Sequence, residues 1–106
     1  MEQNKSFYLL TSDAESDLFE IAEYTLKNWG IDALHRYQEE LTLAFESIAN
    51  GTALNRQPFT QLPEVHISKS QKHYIFYIFQ EKTPVIIAVI HEQRDMVTLL
   101  TSRLTS

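Results

Sequence analysis

At 106 residues, 43% of them hydrophobic and 22% charged, the chain has the length and composition of one globular domain, with no room for a second. It has no cysteine, which excludes disulfides and thiolate metal ligands and suits a reducing compartment. The net charge of −5 is unevenly spread, since residues 1–50 hold ten acidic and three basic side chains and residues 51–106 hold four and six.

An acidic chain has no general pull toward phosphate. No strong direct binding of nucleic acid is expected, and any such role is local to the second half. The opening MEQNKSFYLLTS lacks the basic and apolar regions of a secretion signal. The longest apolar run, Val85 to Ile90, is far too short to span a bilayer. A cytoplasmic protein with no membrane partner is the expectation.

Phe7 to Thr11 reads as a short strand of aromatic and aliphatic residues. Ser12-Asp13-Ala14-Glu15 has the spacing of a capping box. Ala14, Leu18, Ile21, Ala22, Thr25 and Trp29 then recur at the helical period, which predicts Trp29 buried between helices and sheet. Gly30 ends this helix. Asp32 is placed to cap a second one, with Leu34, Tyr37, Leu41, Ala44, Phe45 and Ile48 as its apolar stripe and Asn50-Gly51 as its stop. A link of two or three residues forces an antiparallel hairpin. Neither helix can bury its stripe on the other alone, so a third layer is required.

That layer follows a loop from Gly51 to Pro63. Val65 and Ile67 mark a strand, Lys69 to Lys72 a turn, His73 to Phe79 a strand rich in β-formers, and Glu81 to Pro84 another turn. Val85 to His91 is the central strand by its unbroken hydrophobicity. Such short connections make an antiparallel meander. A weak pattern from Arg94 to Leu104 predicts a short C-terminal helix. The expected class is α+β, as one domain over residues 1–106: N-terminal strand, helix hairpin, three-stranded meander.

Several strings in this order carry a resemblance. Leu10-Thr11-Ser12 with Ala14, Asp17-Leu18, Ile21 and Tyr24 is similar to the opening of ParE-type toxins of the RelE/ParE superfamily, and Trp29-Gly30 is similar to their helix ending. Tyr37, Leu41 and Phe45 fall at their second-helix positions. His73-Tyr74-Ile75-Phe76-Tyr77 resembles their H-x-I-F-Y strand, and Ile87 to His91 with Arg94-Asp95 resembles their closing segment. The resemblance spans residues 8 to 100. It implies the toxin of a bacterial type II toxin–antitoxin system, wrapped by the C-terminal segment of a ParD-like antitoxin. It further implies DNA gyrase as the target, inhibited by protein–protein binding, with no cofactor and no catalytic residue. Two departures stand out: Leu54-Asn55-Arg56 keeps the arginine of the family's G-R pair and loses the glycine, and Lys72 stands where arginine or glycine is frequent.

Candidate site residues divide by chemistry. His66, His73 and His91 lie on or beside strands, but no metal-ligand spacing accompanies them, and no metal is expected. The alternative on the same fold is a ribosome-dependent mRNA endonuclease of RelE type, which needs an acid, a base and cations for the phosphorane. His73, Tyr77 and His91 are its candidates. His73, Ile75, Tyr77 and Phe79 share one strand face, which is either core or an open groove. For contact with target or antitoxin the candidates are Arg56, His91, Arg94, Asp95, Leu99 and Leu100. Arg94-Asp95 beside His91 forms either a polar contact cluster or a local cap. Leu99-Leu100 either anchors a partner or packs back onto the sheet. A degenerate member that keeps only antitoxin binding is a further alternative. The acidic helix faces read as solvated surface.

Overall fold

The computed structural model describes residues 7–53 and 62–105. The elements in chain order are β1 (Leu9–Leu10), α1 (Ser12–Trp29), α2 (Ile31–Ala49), β2 (His66–Ser70), β3 (His73–Gln80), β4 (Thr83–His91) and α3 (Met96–Thr105). Together they give the expected α+β architecture, C-terminal helix included. The sheet order is β1-β4-β3-β2, with β2, β3 and β4 antiparallel and β1 parallel to β4. No helix among the described residues is long and apolar enough to cross a membrane.

β1 is shorter than its sequence suggests. Leu9 and Leu10 pair with Val85 and Ile86, the Thr11 N–H donates to the Ile86 carbonyl at 3.0 Å, and the chain then turns into α1. Thr11 caps that helix in place of Ser12, its hydroxyl oxygen accepting the Ala14 N–H at 3.1 Å. The capping motif is therefore one residue earlier than its spacing suggests, because Thr11 is the last residue with extended backbone.

The two helices are joined by a single residue. Gly30 has φ 92° and ψ 176°, a region open in practice only to glycine. Its N–H closes α1 on the Leu26 carbonyl, and its own carbonyl accepts the Leu34 N–H to open α2, both at 3.1 Å. Asp32 thus lies within the first turn of α2, where its charge favours the helix N-terminus without capping it.

The sheet is covered on both faces. The hairpin packs one face through Ala14, Leu41, Phe45 and Ile48 against Ile75, Tyr77, Ile86 and Val89, while Tyr8 lies 5.4 Å from Phe45. The opposite face packs α3, with fully buried Leu100, over Phe76, Val85, Ile87, Ala88 and Ile90. A bulge makes this possible: Phe76 pairs with Ala88 and Tyr77 with Ile86, leaving Ile87 as the extra residue. Ile87 and Ala88 both contribute to the α3 face, and the alternation then resumes with Val89 toward the hairpin. With both faces covered, β4 is apolar along nearly its whole length, as a doubly buried strand should be.

The turn residues are tighter than their sequence suggests. β2 and β3 are joined at Gln71-Lys72, and β3 and β4 at Glu81-Lys82, whose φ angles of 51° and 73° match a type I′ hairpin built without glycine. Lys69, Ser70, Thr83 and Pro84 accordingly belong to strands.

A groove beneath the hairpin tip

Packing against the sheet ends at Ile21 on α1 and resumes at Tyr37 on α2. The closed end of the hairpin stands clear, with Tyr24, Leu26, Trp29 and Ile31 all exposed. Trp29, expected in the core, is 71% exposed. Its helical phase is that of the buried stripe, but the helix outruns the sheet: 18 residues reach about 27 Å, and the core lies against only the first part.

Between this overhang and the end of the sheet lies a groove of about 600 Å³. α1 contributes Asp17, Glu20, Ile21, Tyr24, Thr25 and Trp29. α2 contributes Ala33, Arg36, Tyr37 and Glu40. The β2–β3 turn and the ends of β3 and β4 add Gln71, Lys72, His73, Val89, His91 and Arg94. Glu40 accepts a hydrogen bond from the Gln71 side chain, which ties α2 to the β2–β3 turn.

The groove floor is a ring cluster. His73 and His91 are cross-strand partners with their rings 5.2 Å apart, edge to face. Tyr37 bonds through its hydroxyl to Nδ1 of His73. Burial, and secondarily the neighbouring His91, lowers the His73 pKa to about 4, against the opposing pull of Glu92. Neutral His73 accepts a hydrogen bond from the Tyr37 hydroxyl, and burial with the nearby Glu40 charge raises the Tyr37 pKa and keeps the proton on the tyrosine. His91 accepts the Gln93 N–H at Nδ1, 3.1 Å away.

One wall depends on a pair that sequence reading passed over. Arg103 of α3 meets Asp17 of α1 in a two-pronged contact, both N···O distances 2.8 Å. The same carboxylate accepts the Val89 N–H at 2.9 Å, and the same guanidinium donates to the Ile87 carbonyl at 2.9 Å. β4 thus has its outer edge finished by side chains where β1 stops. A signal was present in the sequence: Asp17 follows Ala14 by three residues and precedes Ile21 by four, so it shares their buried side and requires a partner. The basic member, in a weakly patterned tail, gave no such sign.

The sequence-derived candidates separate accordingly. His73, His91 and Arg94 line the groove, together with Arg36, which sequence analysis did not single out. Tyr77 does not: it is 1% exposed in the core under the hairpin, its ring stacked 5.4 Å from His66. Asp95 accepts from the Thr98 N–H and hydroxyl at 3.2 and 2.9 Å, which caps α3 and lowers its pKa. Leu100 is fully buried and Leu99 packs beside it on the sheet, so this tail folds back instead of standing out to anchor a partner. Arg56 lies outside the described residues. Among the described residues no three of His, Asp and Glu converge to hold a metal ion.

Residues 8–96 match the family described as ParE toxin of type II toxin–antitoxin system, parDE. The chain belongs to the ParE toxin family. Toxin ParE of Escherichia coli is 31% identical over 98 residues, 92% of this chain and 95% of that protein. Toxin ParE1 of Mycobacterium tuberculosis is 29% identical over 92 residues, covering 86% and 94%. The fold is shared with a chain of the chromosomal ParDE TA system from P. aeruginosa, with a TM-score of 0.61 and 16% identity over 82% of this chain and 98% of that one. In this ParE family member the matched region runs from β1 to the start of α3 and includes every described residue that lines the groove.

Proposed function

We propose that this ParE toxin acts in the cytoplasm as a one-domain unit, inhibits DNA gyrase by protein–protein binding, and is held inactive by a ParD-like antitoxin. The observation that carries the mechanism is the placement of Tyr77. A residue closed inside the core cannot reach a scissile phosphate, and the nuclease reading loses one of its three candidate groups. His73 spends its Nδ1 on Tyr37, which leaves it part of the groove's framework. The antitoxin is assigned to the groove beneath the hairpin tip, where exposed Tyr24 and Trp29 adjoin polar walls.

A second reading retains one observation in its favour: His73 and His91 are in ring contact beside Lys72 and Arg94, which resembles part of a phosphate-handling site. Two assays on purified protein separate the readings. We expect inhibition of gyrase supercoiling, relieved by the antitoxin encoded beside the gene, and no cleavage of mRNA on ribosomes. Codon-phased cleavage that disappears in a folded His91→Ala variant would establish the nuclease instead.

A further inference from the structure

Partner recognition in this groove has a chemistry that the fold itself specifies. The protein as a whole is acidic, yet Arg36, Lys72 and Arg94 face the groove from three separate elements, all exposed and none with an ion-pair partner among the described residues. Of the acids in the lining, Asp17 is neutralised by Arg103, while Glu40 accepts from the neutral Gln71 amide and keeps its charge. The three cations still outnumber the lining acids that no cation pairs among the described residues. Glu20 sits at the α1 wall, within the field of Arg103. At the sheet end, Glu92 pairs with Lys69 at 2.8 Å, so Lys72 and Arg94 leave a local excess of positive charge. Immediately beyond lies exposed Trp29, a large rigid surface of the kind that anchors interfaces.

The edge of β4 constrains the mode of binding. Asp17 and Arg103 occupy the Val89 N–H and the Ile87 carbonyl, which blunts the strand against main-chain pairing with an incoming segment. At this edge, which borders the groove, side chains and not an added strand are left to do the recognising.

We propose that the groove takes an acidic segment of the antitoxin, whose carboxylates meet Arg36, Lys72 and Arg94 and whose apolar side chain seats on Trp29. This rests on the assignment of the antitoxin to the groove. Opposite charge across the contact speeds encounter and selects the partner, while the tryptophan contact slows release.

The test uses the full-length protein and the antitoxin encoded in the adjoining reading frame. Arg36→Glu, Lys72→Glu and Arg94→Glu should each weaken binding by about tenfold or more, and Trp29→Ala similarly. Lys82→Glu, at the opposite end of the sheet, should leave binding unchanged. Wild-type affinity should also fall steeply between roughly 50 and 500 mM salt. That second measurement needs no variant and stands even if a substitution disturbs folding. No complex with wild-type protein overturns the assignment of the antitoxin itself. A complex that ignores both salt and the three charge reversals overturns only the acidic-segment proposal. Binding of a single-stranded RNA 12-mer that depends on those three cations, with antitoxin binding independent of them, would make the groove a nucleic-acid seat and also overturn it.

Discussion

Asp17 stands where a longer β1 would have continued along β4, and its carboxylate is shared between a backbone N–H and a guanidinium. Both side chains are largely shielded, at 12% and 16% exposure. Removing one partner strands the other together with a backbone donor. Asp17→Ala is therefore expected to cost about 2–4 kcal/mol, a large share of the stability of a small domain, read from chemical denaturation. An unchanged midpoint would show the pair to be dispensable. His73 gives a pH signature. Its pKa is about 4 when folded and near the ordinary 6.5 when unfolded, so its contribution is complete above about 6.5. As pH falls from there to about 4 the unfolded chain binds a proton that the folded chain refuses, and stability is lost. Partial solvent access limits the loss to about 1–2 kcal/mol. The stability of His73→Gln should decline less than wild type over this window, and parallel curves would refute the assignment.

Elements were legible to the extent that their cause was local. The helices, the hairpin and the meander follow from apolar period and turn residues, and β4 was recognisable as central because its covered faces leave no polar position. Trp29 shows the limit. Helical phase told which side of α1 it occupies, but whether the sheet reaches that far depends on how the hairpin is set over the strands, a tertiary distance that no period encodes. Leu100 shows the converse, since a weakly patterned tail became a helix packed on one sheet face through a fully buried leucine. Leu100→Ala should accordingly cost about 2–5 kcal/mol in thermal or chemical unfolding, whereas Trp29→Ala should change stability by less than about 1 kcal/mol. Gly30→Ala meets no neighbouring atom within 4 Å yet should cost about 1–3 kcal/mol, since the penalty is in the backbone angle that lets one residue end α1 and begin α2. The groove was only partly legible: His91 and Arg94 carried a signal, while Arg36 looked like any polar helix residue until the fold brought it opposite them.

At the scale of the whole molecule, membership of the ParE toxin family leads to a cellular expectation: expression without antitoxin should arrest growth, and co-expression of the antitoxin should restore it. Normal growth with verified soluble, folded protein would mark this copy as inactive. The exposed indole beside the groove has a consequence of another kind. Trp29 is the only tryptophan in the chain, so emission excited beyond the tyrosine band reports a single spot, and that spot is outside the core. Unfolding moves it from water to water. A denaturation curve followed by tryptophan emission should show little amplitude even while circular dichroism records a full transition. Occupation of the groove would instead screen the ring from a dissolved quencher such as acrylamide. The protein thus carries a native optical probe that is nearly blind to its own folding and responsive to whatever covers the hairpin tip.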